Sequence, residues 1–174
     1  MTNNIVHASN SARTFIKEIE PFLYGRPMTY VDVGAYDGGV LLELAESALN
    51  IRIDHLVEPN PSSYQLLRST VEGLDVGGNV VCHNVAISDS SGLLTMQDAG
   101  TMSRVIGSAA DRIADRLFEV PATTLDELAR ANRVGHIDLL KIDVEGHELA
   151  VISGAKGLSS DEHVRSPIVG PLGS

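Results

Sequence analysis

Met28-Thr-Tyr-Val-Asp-Val-Gly-Ala-Tyr-Asp-Gly-Gly39 passes from apolar, β-branched and aromatic residues into a cluster of glycines. The first half has the composition of a buried strand, and the glycines mark a tight turn at its exit. A helix follows, because Val40, Leu41, Leu44, Ala45, Ala48 and Leu49 share one face at helical spacing. Strand, glycine turn and helix in that order open a parallel strand–helix–strand unit.

The alternation repeats downstream. Ile51 to Val57 is a second strand, ending at Glu58-Pro-Asn-Pro61, where Asn60 can cap a helix and Pro61 suits its first turn. Tyr64, Leu67, Val71 and Leu74 continue that helix. Gly77-Gly78 breaks the chain, and Asn79 to Ile87 reads as one third strand. Ser88 to Gly92 is a turn, from which Leu93 to Met96 returns as a short strand. Over residues 98 to 115, Gly100, Ser103, Gly107 and Ser108 suggest a mobile loop, while Ala109 to Leu117 has helical character. Thr124-Leu-Asp-Glu127 has the form of a capping box opening a helix through Arg130. Ile137 to Asp143 is a further strand, Val144-Glu-Gly146 its exit turn, and Glu148 to Ala155 a helix. At the amino end, Ser11 to Phe22 predicts a short amphipathic helix ended by Pro21. The organisation expected is a helical lead-in over 1–27, one α/β core over 28–158 with a mainly parallel sheet flanked by helices, and an irregular tail over 159–174.

Composition narrows the function. The 174 residues allow one core, and 23 acidic against 13 basic side chains give a net charge of −10. That field repels phosphate backbones and anionic lipid, so neither a nucleic acid nor a membrane is expected as partner. With no tryptophan, four tyrosines and three phenylalanines, the chain also lacks a stacking platform for single strands. Cys82 is alone, which leaves no internal disulfide, and it lies in an apolar strand as a small core residue. No apolar run approaches a bilayer's width, and the first residues lack a signal-peptide pattern, so a cytoplasmic location is expected.

In open parallel sheets the ligand sits beyond the carboxyl ends of the strands. The informative residues are therefore those just after each strand. A dinucleotide fingerprint would need a second glycine at position 36, where this chain has Tyr36. A side chain there opposes close approach of a pyrophosphate, which counts against a nicotinamide-dependent oxidoreductase. Glu58 stands 26 positions after Asp32, at the end of the second strand, where an acidic residue accepts hydrogen bonds from ribose hydroxyls. Ribose recognition without a pyrophosphate loop points to a nucleoside, and S-adenosylmethionine is the expected cofactor.

Five blocks, Tyr30-Val-Asp-Val-Gly-Ala-Tyr-Asp-Gly38, Val57-Glu-Pro-Asn-Pro61, Asn84-Val-Ala-Ile-Ser-Asp89, Val120-Pro-Ala-Thr-Thr-Leu-Asp-Glu-Leu128 and Ile137-Asp-Leu-Leu-Lys-Ile-Asp-Val-Glu-Gly146, closely resemble in order and spacing the FkbM family of methyltransferases. The resemblance implies a Rossmann-like class I methyltransferase fold that binds S-adenosylmethionine and methylates hydroxyls of small molecules, polyketides or sugars. By that resemblance Asp32, Gly34, Ala35 and Tyr36 would hold the methionine end of the cofactor, and Glu58 the ribose. Asn84 to Ala86 would lie along the adenine. Asp143 and Glu145 would face the methyl group and the acceptor.

Methyl transfer is a displacement whose main demand is an acceptor oxygen held in line, helped by a base because hydroxyls are weak nucleophiles at neutral pH. Asp143 is the favoured orienting or basic group, with Glu145 and His147 beside it. His147-Glu148 begins like a zinc-protease helix, but Val151 stands where the second histidine belongs. Asp143 and Glu145 are too few to hold magnesium, so no metal is expected. Beyond Gly157 only Ser166 to Val169 looks like a strand, and Gly170-Pro-Leu-Gly-Ser174 resembles the remnant of a cleaved protease site. The later strands of the family fold are thus expected to be missing or incomplete. That would leave the Ile137–Asp143 strand near an open edge, inviting a homo-oligomer through it or a cofactor-binding module without turnover.

Overall fold

The computed structural model describes residues 3–23, 25, 27–74, 79–98, 103–105, 117–158 and 168–169. The lead-in is α1 (Asn3–Leu23), longer than its pattern suggests, with Pro21 inside its last turn. A proline there removes one backbone bond. Burial of Phe15, Ile16, Ile19 and Leu23 along one face outweighs that loss and carries the helix past it.

A five-stranded parallel sheet forms the centre. It is built from β1 (Pro27–Val33), β2 (Asn50–Val57), β3 (Asn79–His83), β8 (Leu139–Ile142) and β9 (Ile168–Val169), in the order β3-β2-β1-β8-β9. Between β1 and β2 lies α2 (Gly39–Ala45), and between β2 and β3 lies α3 (Pro61–Glu72). The face carrying Met28, Tyr30, Leu56 and Leu139 packs with α1, Leu41, Leu44 and Leu67. The opposite face, with Val31, Val33, Val57, Leu140 and Ile142, packs with α4 (Leu125–Ala131) and α5 (Glu148–Ser153). Each inner strand is covered on both faces, the reason its sequence reads as a nearly continuous apolar run.

Several boundaries differ from the sequence reading. The α2 helix stops at Ala45 rather than running to Leu49, because the Ser47 hydroxyl donates to the Leu44 carbonyl (2.7 Å) and accepts from the Leu49 amide (3.2 Å). Such local side-chain bonds compete with the helical ladder. The expected single strand from Asn79 to Ile87 is two: β3 ends at His83, and after Asn84 and Val85 the chain enters β4 (Ala86–Ile87) in a second sheet. That sheet, ordered β4-β7-β5-β6, also contains β5 (Gly92–Gln97), β6 (Arg104–Val105) and β7 (Leu117–Thr123). Leu117, expected to end a helix, begins β7, and residues 106–116 lie outside the described residues. Pro121 hides β7 from a sequence reading, yet it is tolerated because β4 pairs only from Ala122 onward. At α4 the capping box is half made. The Thr124 hydroxyl accepts from the Glu127 amide (3.1 Å), while the Glu127 carboxylate takes the Ser91 and Thr123 hydroxyls instead of returning to the cap.

The edge expected beside β8 is occupied in part. Ile168 and Val169 pair in parallel with Leu140 and Lys141, supplying a fifth strand at those positions. Among the described residues, no helix is long and apolar enough to cross a membrane.

One carboxylate in the core sets a pH dependence. Asp54 on β2 is 3% exposed, opposite Tyr30, and its Oδ1 has no hydrogen-bond partner among the described residues. Burial, with the nearby charge of Asp32, pushes it up to about 7. The folded chain therefore holds a proton there that the unfolded chain releases at ordinary carboxylate pH. Stability should fall as pH rises through the interval between the ordinary value of 3.8 and about 7. Asp54→Asn is expected to be more stable than the parent at pH 8, by roughly 1–4 kcal/mol, with the gap closing by pH 4. Urea melts at the two pH values check it.

Candidate functional site

The chain leaves β1 toward β2 on one side and reaches β8 on the other, so the order of strands reverses between β1 and β8. A cavity opens at the carboxyl ends of these strands. Its floor is formed by Gly34, Tyr36, Glu58, Asp143, Glu145 and His147, and its apolar walls by Val57, Ile87, Met96 and Val105.

The floor depends on a close approach of two strand exits. Gly34 has φ +87°, and a Cβ there would overlap the backbone carbonyl of Asp143. The Gly34 and Ala35 amides donate to the Val57 carbonyl at 2.9 and 3.0 Å, and the Asp143 amide donates to the Val33 carbonyl at 2.9 Å. Two non-glycine residues of the lining are also left-handed, Tyr36 at φ 51° and Glu145 at φ 40°. Glu58 holds the first of these in place. Its Oε2 accepts from the Tyr36 amide at 2.9 Å and its Oε1 from the Asn60 amide at 2.8 Å. Desolvation raises the Glu58 pKa, and the two amides act against it. Each carboxylate oxygen offers two lone-pair directions, so one on each is left for a ligand hydroxyl.

Beneath the floor lies a buried ion cluster. Lys141, 3% exposed on β8, donates to Asp32 Oδ1 at 2.9 Å and to the Gly34 carbonyl at 3.2 Å, and pairs with Asp143 Oδ2 at 3.6 Å. Tyr30 completes the cluster by donating its hydroxyl to Asp32 Oδ2 at 2.8 Å. Burial alone would lower the Lys141 pKa, but the carboxylates of Asp32 and Asp143 more than reverse this and keep it an ammonium. On the far side, His147 Nε2 lies 3.0 Å from the Ser88 hydroxyl, and desolvation lowers its pKa. A neutral imidazole at pH 7 can take up a proton.

The structure therefore brings seven of the sequence-predicted residues to one cavity: Gly34, Tyr36, Glu58, Ala86, Asp143, Glu145 and His147. Three stand behind it. Asp32 turns to Lys141 and Tyr30, Ala35 is buried on the turn, and the Asn84 amide donates to the Glu58 and Pro59 carbonyls at 2.9 and 3.0 Å. Among the described residues, no group of three or more His, Cys, Asp or Glu side chains is placed to hold a metal.

The match that decides the family covers most of this region, because the methyltransferase FkbM domain matches residues 32–166. The chain belongs to the FkbM methyltransferase family. Solved structures agree on the fold. An FkbM methyltransferase from Methylobacillus flagellatus KT superposes with a TM-score of 0.56 at 16% identity, over 82% of this chain and 34% of that one. A conserved hypothetical protein of Streptococcus pyogenes superposes with a TM-score of 0.52 at 12% identity, over 90% of this chain and 71% of that one. The present chain thus spans about a third of the first relative's length. No curated protein matches it.

In this FkbM chain the sequence reading missed Lys141, Ser88 and Ser103. Lys141 carried a signal, being a charge inside the apolar run Leu139-Leu-Lys-Ile142, where an unpaired ammonium would be costly. Ser88 and Ser103 carried none, since serine is ordinary in turns.

Proposed function

We propose that the cavity binds S-adenosylmethionine and that the chain catalyses transfer of its methyl group to a hydroxyl of a small molecule or glycan. The observation that carries this reading is the Glu58 carboxylate, fixed by two backbone amides at the floor of an apolar-walled cavity, with one lone pair of each oxygen free. Vicinal ribose hydroxyls match that pair of acceptors. Asp143 and Glu145 add negative charge to the same floor, complementary to a cationic ligand. The described lining has no lysine or arginine for a pyrophosphate. Family membership gives independent support.

When bound, S-adenosylmethionine supplies a methyl group on a positively charged sulfur. The chain's own residues would do the rest. Glu58 would accept from the ribose, and Met96, Ile87 and Val105 would exclude water around the nucleoside. Asp143, held from below by Lys141, would accept a hydrogen bond from the acceptor hydroxyl and orient its oxygen. His147 is the second group able to take the proton released there.

Calorimetric titration with S-adenosylmethionine and NAD tests the reading. Saturable binding of the first alone is expected, and binding of NAD alone or of neither overturns it. Glu58→Ala should weaken the affinity about 10- to 100-fold, the worth of hydrogen bonds to a charged acceptor. An unchanged affinity would remove Glu58 from the site. Binding without methyl transfer across a panel of hydroxyl acceptors would leave a cofactor-binding module in place of an enzyme.

A further inference from the structure

Asn60 does more than a helix cap requires. It is 3% exposed, and the polar groups of its backbone amide and side chain are engaged. Its Oδ1 caps α3 by accepting from the Ser62 and Ser63 amides at 2.8 and 3.3 Å. Its backbone amide holds Glu58 Oε1. Its Nδ2 reaches across to the second sheet, donating to Asp98 Oδ1 at 3.2 Å and to the Ser103 hydroxyl at 2.8 Å. Capping needs only the oxygen, which serine, threonine or aspartate would provide equally well. The nitrogen is the part that asparagine adds.

Those two contacts lie just after β5 and just before β6. This hairpin forms one wall of the cavity, through Met96, Ser103 and Val105. Its outer strand is weakly held: β6 has two residues at the edge of the sheet, paired as Met96 with Val105 and Gln97 with Arg104, whereas β5 is paired with β7 along its whole length. Anchoring to α3 therefore matters to where the wall stands. The same residue orients the Glu58 carboxylate, so wall and carboxylate are set from one point.

We propose that Asn60 is a positioning residue that latches the β5–β6 hairpin over the nucleoside end of the cavity and so sets cofactor affinity. The effect on affinity rests on the cofactor reading above, whereas the latch itself does not.

Asn60→Asp separates the two halves of the side chain. The new carboxylate still caps α3 but has no N–H to donate: it stands against Asp98, and the Ser103 hydroxyl would have to turn and donate to it. A buried carboxylate facing Asp98 should lower the variant's melting temperature, and S-adenosylmethionine should bind about tenfold or more weakly. Without ligand, amide hydrogen exchange at residues 104 and 105 should accelerate, with α3 still protected. Unchanged exchange in both Asn60→Asp and Ser103→Ala overturns the latch. If the parent binds no S-adenosylmethionine, the cofactor reading falls, and the exchange data judge the latch alone. Should Asn60→Asp fail to fold, Ser103→Ala removes the 2.8 Å contact from the other side and is judged by the same exchange and, where the parent binds, by the same affinity.

Discussion

Lys141→Met is expected to cost about 3–5 kcal/mol of folding stability, the loss that follows when one partner of a buried pair is removed. Methionine matches the length and most of the volume of the lysine stem, so packing changes little. What changes is Asp32, which is 1% exposed and would keep only the Tyr30 hydroxyl at 2.8 Å. Combining the change with Asp32→Asn leaves no charge unpaired and should recover much of the loss. Chemical denaturation of the three variants measures both effects. A cost under about 1 kcal/mol for Lys141→Met would mean that the ion cluster contributes little, in the manner of a surface pair. The substitution also frees Asp143, which Lys141 approaches at 3.6 Å, so any methyl-transfer activity should fall by more than the stability loss explains.

Gly34→Ala is expected to be comparably severe for a different reason. The residue is left-handed at φ +87°, which costs alanine about 1–2 kcal/mol, and the added methyl would overlap the Asp143 carbonyl. That carbonyl cannot retreat freely, because the neighbouring amide bonds to Val33 at 2.9 Å and keeps the two strand exits together. Overpacking adds about 1–3 kcal/mol, giving roughly 2–5 kcal/mol in all, with the cavity floor forced apart. Gly146→Ala is the control. It has a similar φ of +86° but nothing within 4 Å of a new methyl, so only the backbone cost should remain. Equal losses at the two positions would show that the close approach at Gly34 is not what makes it indispensable.

The central sheet was legible because burial on both faces writes itself into β1, β2 and β8 as apolar runs, each closed by a turn that carries its own chemistry. Asn60 and Pro61 announced the start of α3, since capping is decided within a few residues. The second sheet was not legible in the same way. Two of its strands are two residues long, β7 contains a proline, and its pairings join Ala86 to Ala122 and Met96 to Phe118 across the chain. Nothing local distinguishes such segments from loops. The site divided along the same line. Glu58 and Asp143 could be picked out because they follow strands, whereas the turning of Asp32 away from the cavity depends on Lys141, far along the chain.

By itself, then, the sequence determined an acidic α/β chain with its candidate site at the ends of parallel strands, and its ordered blocks determined the family. These are properties of local pattern and composition, which need no knowledge of partners. The tertiary structure decided which carboxylates face the cavity and which are neutralised beneath it, where the second sheet walls the site, and that the amide of Asn60 ties the two sheets together. Each of those outcomes depends on groups distant in sequence meeting within hydrogen-bonding range, and only the packed chain brings them there.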